Sequence, residues 1–373
     1  MAKRKKIKKS NVIIVSVIIL VLIVILINPI TLVSKIKLNN LKYSKESIKN
    51  IIKYNLDKDV IKLGYNKTID VALKDKNYDK KYFEEYSKIN YTEQDDFINN
   101  INKLLNKKYS VEEINLINKT ATKEDIDNLI AENIILDIED YLKYDYAKVS
   151  NINRYVEYKE QNDYDYEQVV TYVNIGLDKD FYEDTIELDK FDEHMLVNKY
   201  RSLPEDYEPE LITIDIDYAS DNNQKATKET AEAFIEMAKE MEKQDLHIIA
   251  NSSYRSYQEQ EEIYNLYTKK YGGQYAKEYA ALPGFSEHQT GYVIDIANKN
   301  HEIFDGTQEF QWLKKNAYKY GFILRYPNEK QDITGYAYEA WHYRYVGKEL
   351  AKKVVDSTLT YDEYYIKYLD KNF

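Results

Sequence analysis

Two short stretches constrain this chain more than anything else in it. Pro283 to Ile296 reads PGFSEHQTGYVIDI and sets His288 seven residues before Asp295. Glu339 to Gly347 reads EAWHYRYVG and sets Glu339 three residues before His342. Both segments read as short strands with alternating faces. In AWHYRYV, His342 and Arg344 share one face, while Trp341, Tyr343 and Tyr345 take the other. Asp295 shares a face with Val293, and His288 lies in the turn just before that strand. Two adjacent strands and a turn can therefore bring two imidazoles and one carboxylate to a single point. Three such ligands leave an open position on a zinc ion, as a catalytic site requires. Glu339 is then left over as a base that takes a proton from water and passes it to a leaving amine. Arg255, at the end of an expected strand Leu246 to Ala250, can bind a carboxylate or a developing oxyanion. E-x-x-H or H-x6-D alone carries little weight in so acidic a chain; the combination carries the assignment. His194, His247 and His301 read as structural.

The rest of the chain supplies context. Its 373 residues suffice for more than one domain. It has no cysteine, which removes disulfides, thiolate metal sites and cysteine nucleophiles. A net charge of -11 argues against nucleic acid as a partner. Lys3, Arg4, Lys5, Lys6, Lys8 and Lys9 precede an apolar run from Val12 to Ile27 that Ile30 to Val33 extend. About twenty uncharged positions cross a ~30 Å hydrocarbon core as a helix, with the cations held in the cytoplasm. The expectation is a basic tail over 1–11, a transmembrane helix over 12–33 and everything later outside the cell. A cleaved signal peptide is the rival, but the run is long for one and no A-x-A-like site follows.

Residues 34–150 read as a helical stalk or loose repeat of short helices. Thr92 with Asp95, Ser110 with Glu113 and Thr122 with Asp125 fit capping boxes. Residues 151–195 read as a strap, with a β-rich run from Val169 to Ile175. Residues 196–373 read as an α+β domain, a mostly antiparallel sheet flanked by helices, because strands and helices mix without βαβ alternation. Within it, helices are expected from Thr227, over Tyr257 to Tyr271 behind a Ser256 and Glu259 capping box, over Glu309 to Tyr320, and in the tail from Lys348 to Leu369. Strands are expected over Tyr292 to Ala297, Phe322 to Tyr326 and Trp341 to Val346.

The segments SSYRSYQEQ (252–260), PGFSEHQTGYVIDI (283–296) and EAWHYRYVG (339–347) resemble the three signature segments of the VanY-like D-alanyl-D-alanine carboxypeptidases. These are zinc peptidases whose fold is shared with hedgehog and lysostaphin-type enzymes. LVNKYRSLPEDYEPELI (196–212) and WLKKNAYKYGFILRYP (312–327) resemble that family too, so the similarity covers Leu196 to Gly347. It implies that His288, Asp295 and His342 bind Zn2+ and that Glu339 is the general base. It further implies that Arg255 contacts the substrate, with Ser286 and Gln260 near the bound terminal D-alanine. Ser253 stands where Gly is usual, Val293 where Ala is usual and Ala340 where Pro is usual. Val293, on the face of Asp295, is the expected place for a changed pocket shape. The function so implied is a membrane-anchored, extracellular zinc carboxypeptidase acting on peptidoglycan stem peptides, with D,D cleavage favoured. An L,D-carboxypeptidase, a wall endopeptidase and a non-catalytic wall-binding module are the alternatives. No sequence feature sets an oligomeric state.

Overall fold

The computed structural model describes residues 29–300 and 303–370. The chain divides into two compact units, one ending at Lys143 and one beginning at Tyr144.

The first unit is built from short helices, among them Lys45–Lys53, Lys67–Ala72, Phe97–Asn106, Val111–Thr120 and Lys123–Ala131. Small polar residues start them. Ser44 accepts a hydrogen bond from the Ser47 amide, and Asn66 accepts one from Ile69. Ser110 with Glu113 and Thr122 with Asp125 form reciprocal capping boxes. Thr92 with Asp95 does not. That helix starts at Phe97 behind Asp96, whose left-handed φ of 54° turns the chain into it. Apolar residues at helical spacing, such as Ile98, Ile101 and Leu104, are buried. Side chains also reach carbonyls of neighbouring segments at a recurring offset. Asn50 donates to Leu73, Thr68 to Ile89 and Asn102 to Asn77, at offsets of 23, 21 and 25 residues. Such neighbour-only bonding is the pattern of a repeat array. Among the described residues no helix is long and apolar enough to cross a membrane. The expected span over 12–33 lies outside the described residues, except where its end enters the helix Pro29–Asn40.

The second unit opens with helices α1 (Ile152–Gln161) and α2 (Tyr166–Ile175). The expected strand over Val169 to Ile175 is therefore helical. Its β-branched residues favour a strand, but an Asp165–Gln168 capping box starts a helix and Gly176, at φ 115°, ends it. There follow α3 (Lys228–Glu242), β1 (Ile248–Ser252), α4 (Tyr257–Tyr271), α5 (Gly273–Tyr279), β2 (Val293–Asn298), α6 (Gln308–Asn316), β3 (Phe322–Leu324), β4 (His342–Tyr345), α7 (Lys348–Ser357) and α8 (Tyr361–Tyr368). The sequence reading ended a helix at Gly272-Gly273 but missed the second helix, α5, that Gly272 starts from φ 92°. The tail is two helices, because Thr358 turns left-handed and Thr360 caps afresh.

The four strands form one sheet in the order β1-β2-β4-β3, antiparallel throughout. Strand alternation gives this sheet two different faces. Ile294, Ile296 and Tyr343 point into a core with Phe234, Met237 and Met241 of α3. Burying each such side chain stabilises the fold by ~1.5–3 kcal/mol. Asp295 and His342, cross-strand partners, lie on the opposite face.

Candidate metal centre

The register of β2 against β4 places Asp295 directly across from His342. His288 comes from a 3-10 turn, Glu287–Thr290, that Gly291 closes at φ 74° just before β2. The His288 Nε2 atom is 3.3 Å from Asp295 Oδ2, and His342 Nδ1 is 3.1 Å from Asp295 Oδ1. One donor atom from each of the three residues lies within 4.8 Å of the others. The outer nitrogens are already engaged: His288 Nδ1 is 2.6 Å from the Ser253 carbonyl, and His342 Nε2 is 3.3 Å from Glu287 Oε2. Each imidazole that donates outward turns its other nitrogen, as a lone pair, inward. Asp295 Oδ1 is buried without a hydrogen-bond partner, since its approach to His342 lacks hydrogen-bonding alignment. An orphaned carboxylate oxygen beside two inward lone pairs fits a cation. Two imidazoles, one carboxylate and no thiolate form a donor set suited to zinc.

Charge is arranged around this point. Burial opposes ionisation of Asp295, but His288 and His342 hold it well below the ordinary carboxylate range. Glu339 Oε2 lies 3.3 Å from His342 Nδ1 and is not one of the three donors. Burial pushes Glu339 up to about 7, against the pull of His342. That is a suitable value for a proton carrier near neutral pH.

Glu287 is the residue the sequence reading missed. It is fully buried and accepts from Arg325 Nε at 2.9 Å and Arg344 Nη1 at 3.1 Å, besides holding His342. Burial would raise its pKa, but the two arginines and His342 hold it well below the usual range. Arg325 in turn grips Asp362 of α8 with two nitrogens. Arg344 shares a face of β4 with His342, as expected from alternation, and that face points at Glu287.

Arg255 follows a register shift in β1 between Ala250 and Ser252, a bulge that re-aims the strand end. Its amide donates to the His288 carbonyl, and its Nη1 donates to Gln260 Oε1 at 2.8 Å. Gln260 is anchored by the Ala281 carbonyl. Arg255 Nε is buried without a partner, and burial lowers the guanidinium pKa against the pull of Asp295 and Glu339. A buried, under-partnered guanidinium favours an incoming anion.

Arg255, Gln260, Ser286, His288, Asp295, Glu339 and His342 all line one cavity of about 570 Å³. Val293 does not. It is buried opposite Arg344, so the expectation that it shapes the pocket does not hold. Ser253 spends its hydroxyl on Gln224 and the Lys225 amide, and Ala340 packs in the core. His194 and His247 lie outside the cavity, and His301 is outside the described residues.

An antiparallel sheet carrying a His-Asp-His donor set, with a buried carboxylate beside it, defines a centre of the zinc-peptidase class. The model of the family described as VanY, D-alanyl-D-alanine carboxypeptidase, matches residues 223–348. YodJ of Bacillus subtilis is 44% identical over 181 residues, covering 46% of this chain and 66% of the relative. A D-alanyl-D-alanine carboxypeptidase of Enterococcus faecium is 37% identical over 145 residues, covering 39% and 45%. Among solved structures, the LdcB LD-carboxypeptidase is 39% identical, covering 50% of this chain and 91% of that one, with a TM-score of 0.46. The zinc complex of a VanY D,D-pentapeptidase is 31% identical, covering 46% and 98%, with a TM-score of 0.42. This chain belongs to the VanY-like family. It spans about half to two thirds of the length of the curated relatives it matches.

Proposed function

We propose that this protein is a zinc carboxypeptidase of the cell wall that removes the terminal D-alanine from peptidoglycan stem peptides. The observation that carries this reading is the pairing of Glu339, beside the His-Asp-His trio, with Arg255 in the same cavity. One group suits proton transfer and the other suits a free C-terminal carboxylate. His288 Nε2, His342 Nδ1 and Asp295 would hold the zinc. When bound, it would supply Lewis acidity toward the scissile carbonyl and the attacking water. Glu339 takes the proton released by that water and delivers it to the leaving amine. Arg255, held by Gln260, pairs with the terminal carboxylate, and Ser286 lies within reach of the same end. Ser253 and Glu287 keep the imidazoles oriented.

D,D cleavage of pentapeptide stems is the favoured specificity, and L,D cleavage of tetrapeptide stems is the second reading. Names of similar proteins include both kinds. The basic head and the apolar run over 12–33 support a single-pass anchor with residues after about 34 outside the cell. Zinc-loaded protein incubated with defined pentapeptide and tetrapeptide muropeptides, read by mass spectrometry, tests the reading. Loss of one alanine is expected, first from pentapeptides. Release of none from any stem, with zinc bound, overturns it. Glu339→Gln is expected to lower kcat by roughly 10²–10⁴-fold while zinc content stays unchanged. Wall phenotypes that survive this change would favour a binding module instead.

A further inference from the structure

The helix Pro29–Asn40 begins where the apolar run of the sequence ends. One of its sides is used inside the first unit. Ser34 donates to Asp57 at 2.6 Å, and Leu38, one turn on, is buried. At 3.6 residues per turn, Leu32, Val33 and Ile36 fall on the opposite side, and they stand 48%, 51% and 55% exposed. Lys35 and Lys37, both exposed, flank them. Apolar side chains between two lysines suit a water–lipid boundary, where the stems lie along the apolar face and the ammonium groups reach the headgroups.

The next helix, Lys45–Lys53, extends this face. A groove of about 480 Å³ between the two is lined by Ile36, Ile48 and Ile52 together with Lys35, Lys45 and Lys49. No acidic residue lines it, and among the described residues none of these three lysines pairs with a carboxylate. The sign is local. Residues 29–63 hold eight lysines and three acidic residues, whereas the whole chain has 53 basic against 64 acidic ones. An anionic surface therefore attracts this end of the chain and repels the average of the rest. The choice of a bilayer as that surface rests on the reading above, in which residues 12–33 are an anchor. A helical rise of 1.5 Å per residue then keeps Lys35, Ile36 and Lys37 within about 6 Å of Val33, at headgroup depth.

We propose that the face formed by the helices Pro29–Asn40 and Lys45–Lys53 docks on an anionic phospholipid surface, its apolar side chains at the acyl boundary and its lysines on the headgroup phosphates. The first helices of the stalk then lie on the bilayer and do not stand off from it as a spacer. The chain has no cysteine, so a single introduced cysteine can carry an environment-sensitive fluorophore. The full chain is reconstituted in vesicles of phosphatidylcholine, alone or mixed with phosphatidylglycerol, with brominated acyl chains as quencher. Ile52→Cys places the probe in the groove, and Leu136→Cys, at an exposed position of the same unit, is the control. On mixed vesicles the Ile52→Cys probe is expected to be quenched severalfold more than the control. That contrast should vanish on phosphatidylcholine alone and at high salt. Changing Lys35, Lys45 and Lys49 together to Glu should abolish it, and changing them to Arg should preserve it. Each lysine near an anionic surface strengthens binding roughly fivefold, so the three account for about a hundredfold. Equal quenching of both probes, the same contrast on uncharged vesicles, or indifference to the charge reversal overturns the proposal. A groove probe shielded by self-association in detergent, yet unquenched in vesicles, means that a second copy fills the groove and overturns it as well. Alkaline carbonate washing reads the anchor separately. A chain that resists the wash but shows no contrast keeps the anchor and loses the docking face. A chain that washes off, yet shows the contrast when added to mixed vesicles, loses the anchor and keeps the face.

Discussion

Glu287 connects the site to the body of the domain through one side chain. It holds the outer nitrogen of His342 and is charge-matched by Arg325 and Arg344, all three residues being buried. Removing one partner of a buried ionic set leaves the others uncompensated. Glu287→Gln is expected to destabilise the domain by ~3–5 kcal/mol in urea unfolding. It should also weaken zinc retention, measured by competition with a chelator, by about 10–100-fold. A variant with unchanged stability and zinc affinity would show that His342 is held by other means. Asp295 and His342 were legible because strand alternation set their directions, and His288 and Glu339 because the segments that resemble the family's signatures placed them. Glu287 was not. It adjoins His288 in a turn, where no periodicity reveals direction, and its partners Arg325 and Asp362 come from distant parts of the chain.

Local rules succeeded where caps were complete and failed where they were read in isolation. Ser256 and Glu259 form the expected box at the start of α4, and Gln260 follows immediately, so this cap sets the residue that holds Arg255. Ser256→Ala is expected to cost about 1 kcal/mol, seen as a lower Tm. If Gln260 depends on that cap, KM should rise more than kcat falls. Thr92 with Asp95 had the same spelling and made no cap, because the chain turns at Asp96 before its helix begins. In α2 the opposite occurred: Val169, Val170 and Val173 suggested a strand, while the Asp165–Gln168 cap and the Gly176 stop make a helix that is buried all round from Val169 to Val173. The mostly antiparallel character of the sheet was legible because strands and helices mix without βαβ alternation. The pairing order β1-β2-β4-β3 was not, since nothing local states which strand sits in the middle.

At the scale of the molecule, two bulk measurements test the assignments. Chelation should lower the Tm of the second unit, and zinc should restore it with a dependence on free metal; at 100 times Kd the gain is ~2.7 kcal/mol. Lys199 gives a pH signature. Burial lowers its pKa from 10.5 to about 8, so the cost of burying its charge is borne in full below about pH 8 and vanishes above 10.5. Stability attributable to this residue should therefore rise with pH across that window. Lys199→Met should remove the rise, and an identical alkaline profile in thermal melts of both proteins would refute it. The chain divides into its two compact units after Lys143. The helices that follow that boundary pack with the tail: Lys367 on α8 pairs with Glu167 on α2. The clasp formed by Arg325 with Asp362 and by Arg201 with Asp370 reaches beyond both ends of the stretch, 223–348, that marks the family. A fragment trimmed to that stretch would keep every metal donor and lose both acids, leaving the Arg325 guanidinium buried with half its anions. Kinship can be recognised in a piece of this chain that leaves out partners of its own buried charges, and the tail beyond that piece helps to hold the fold around the metal centre.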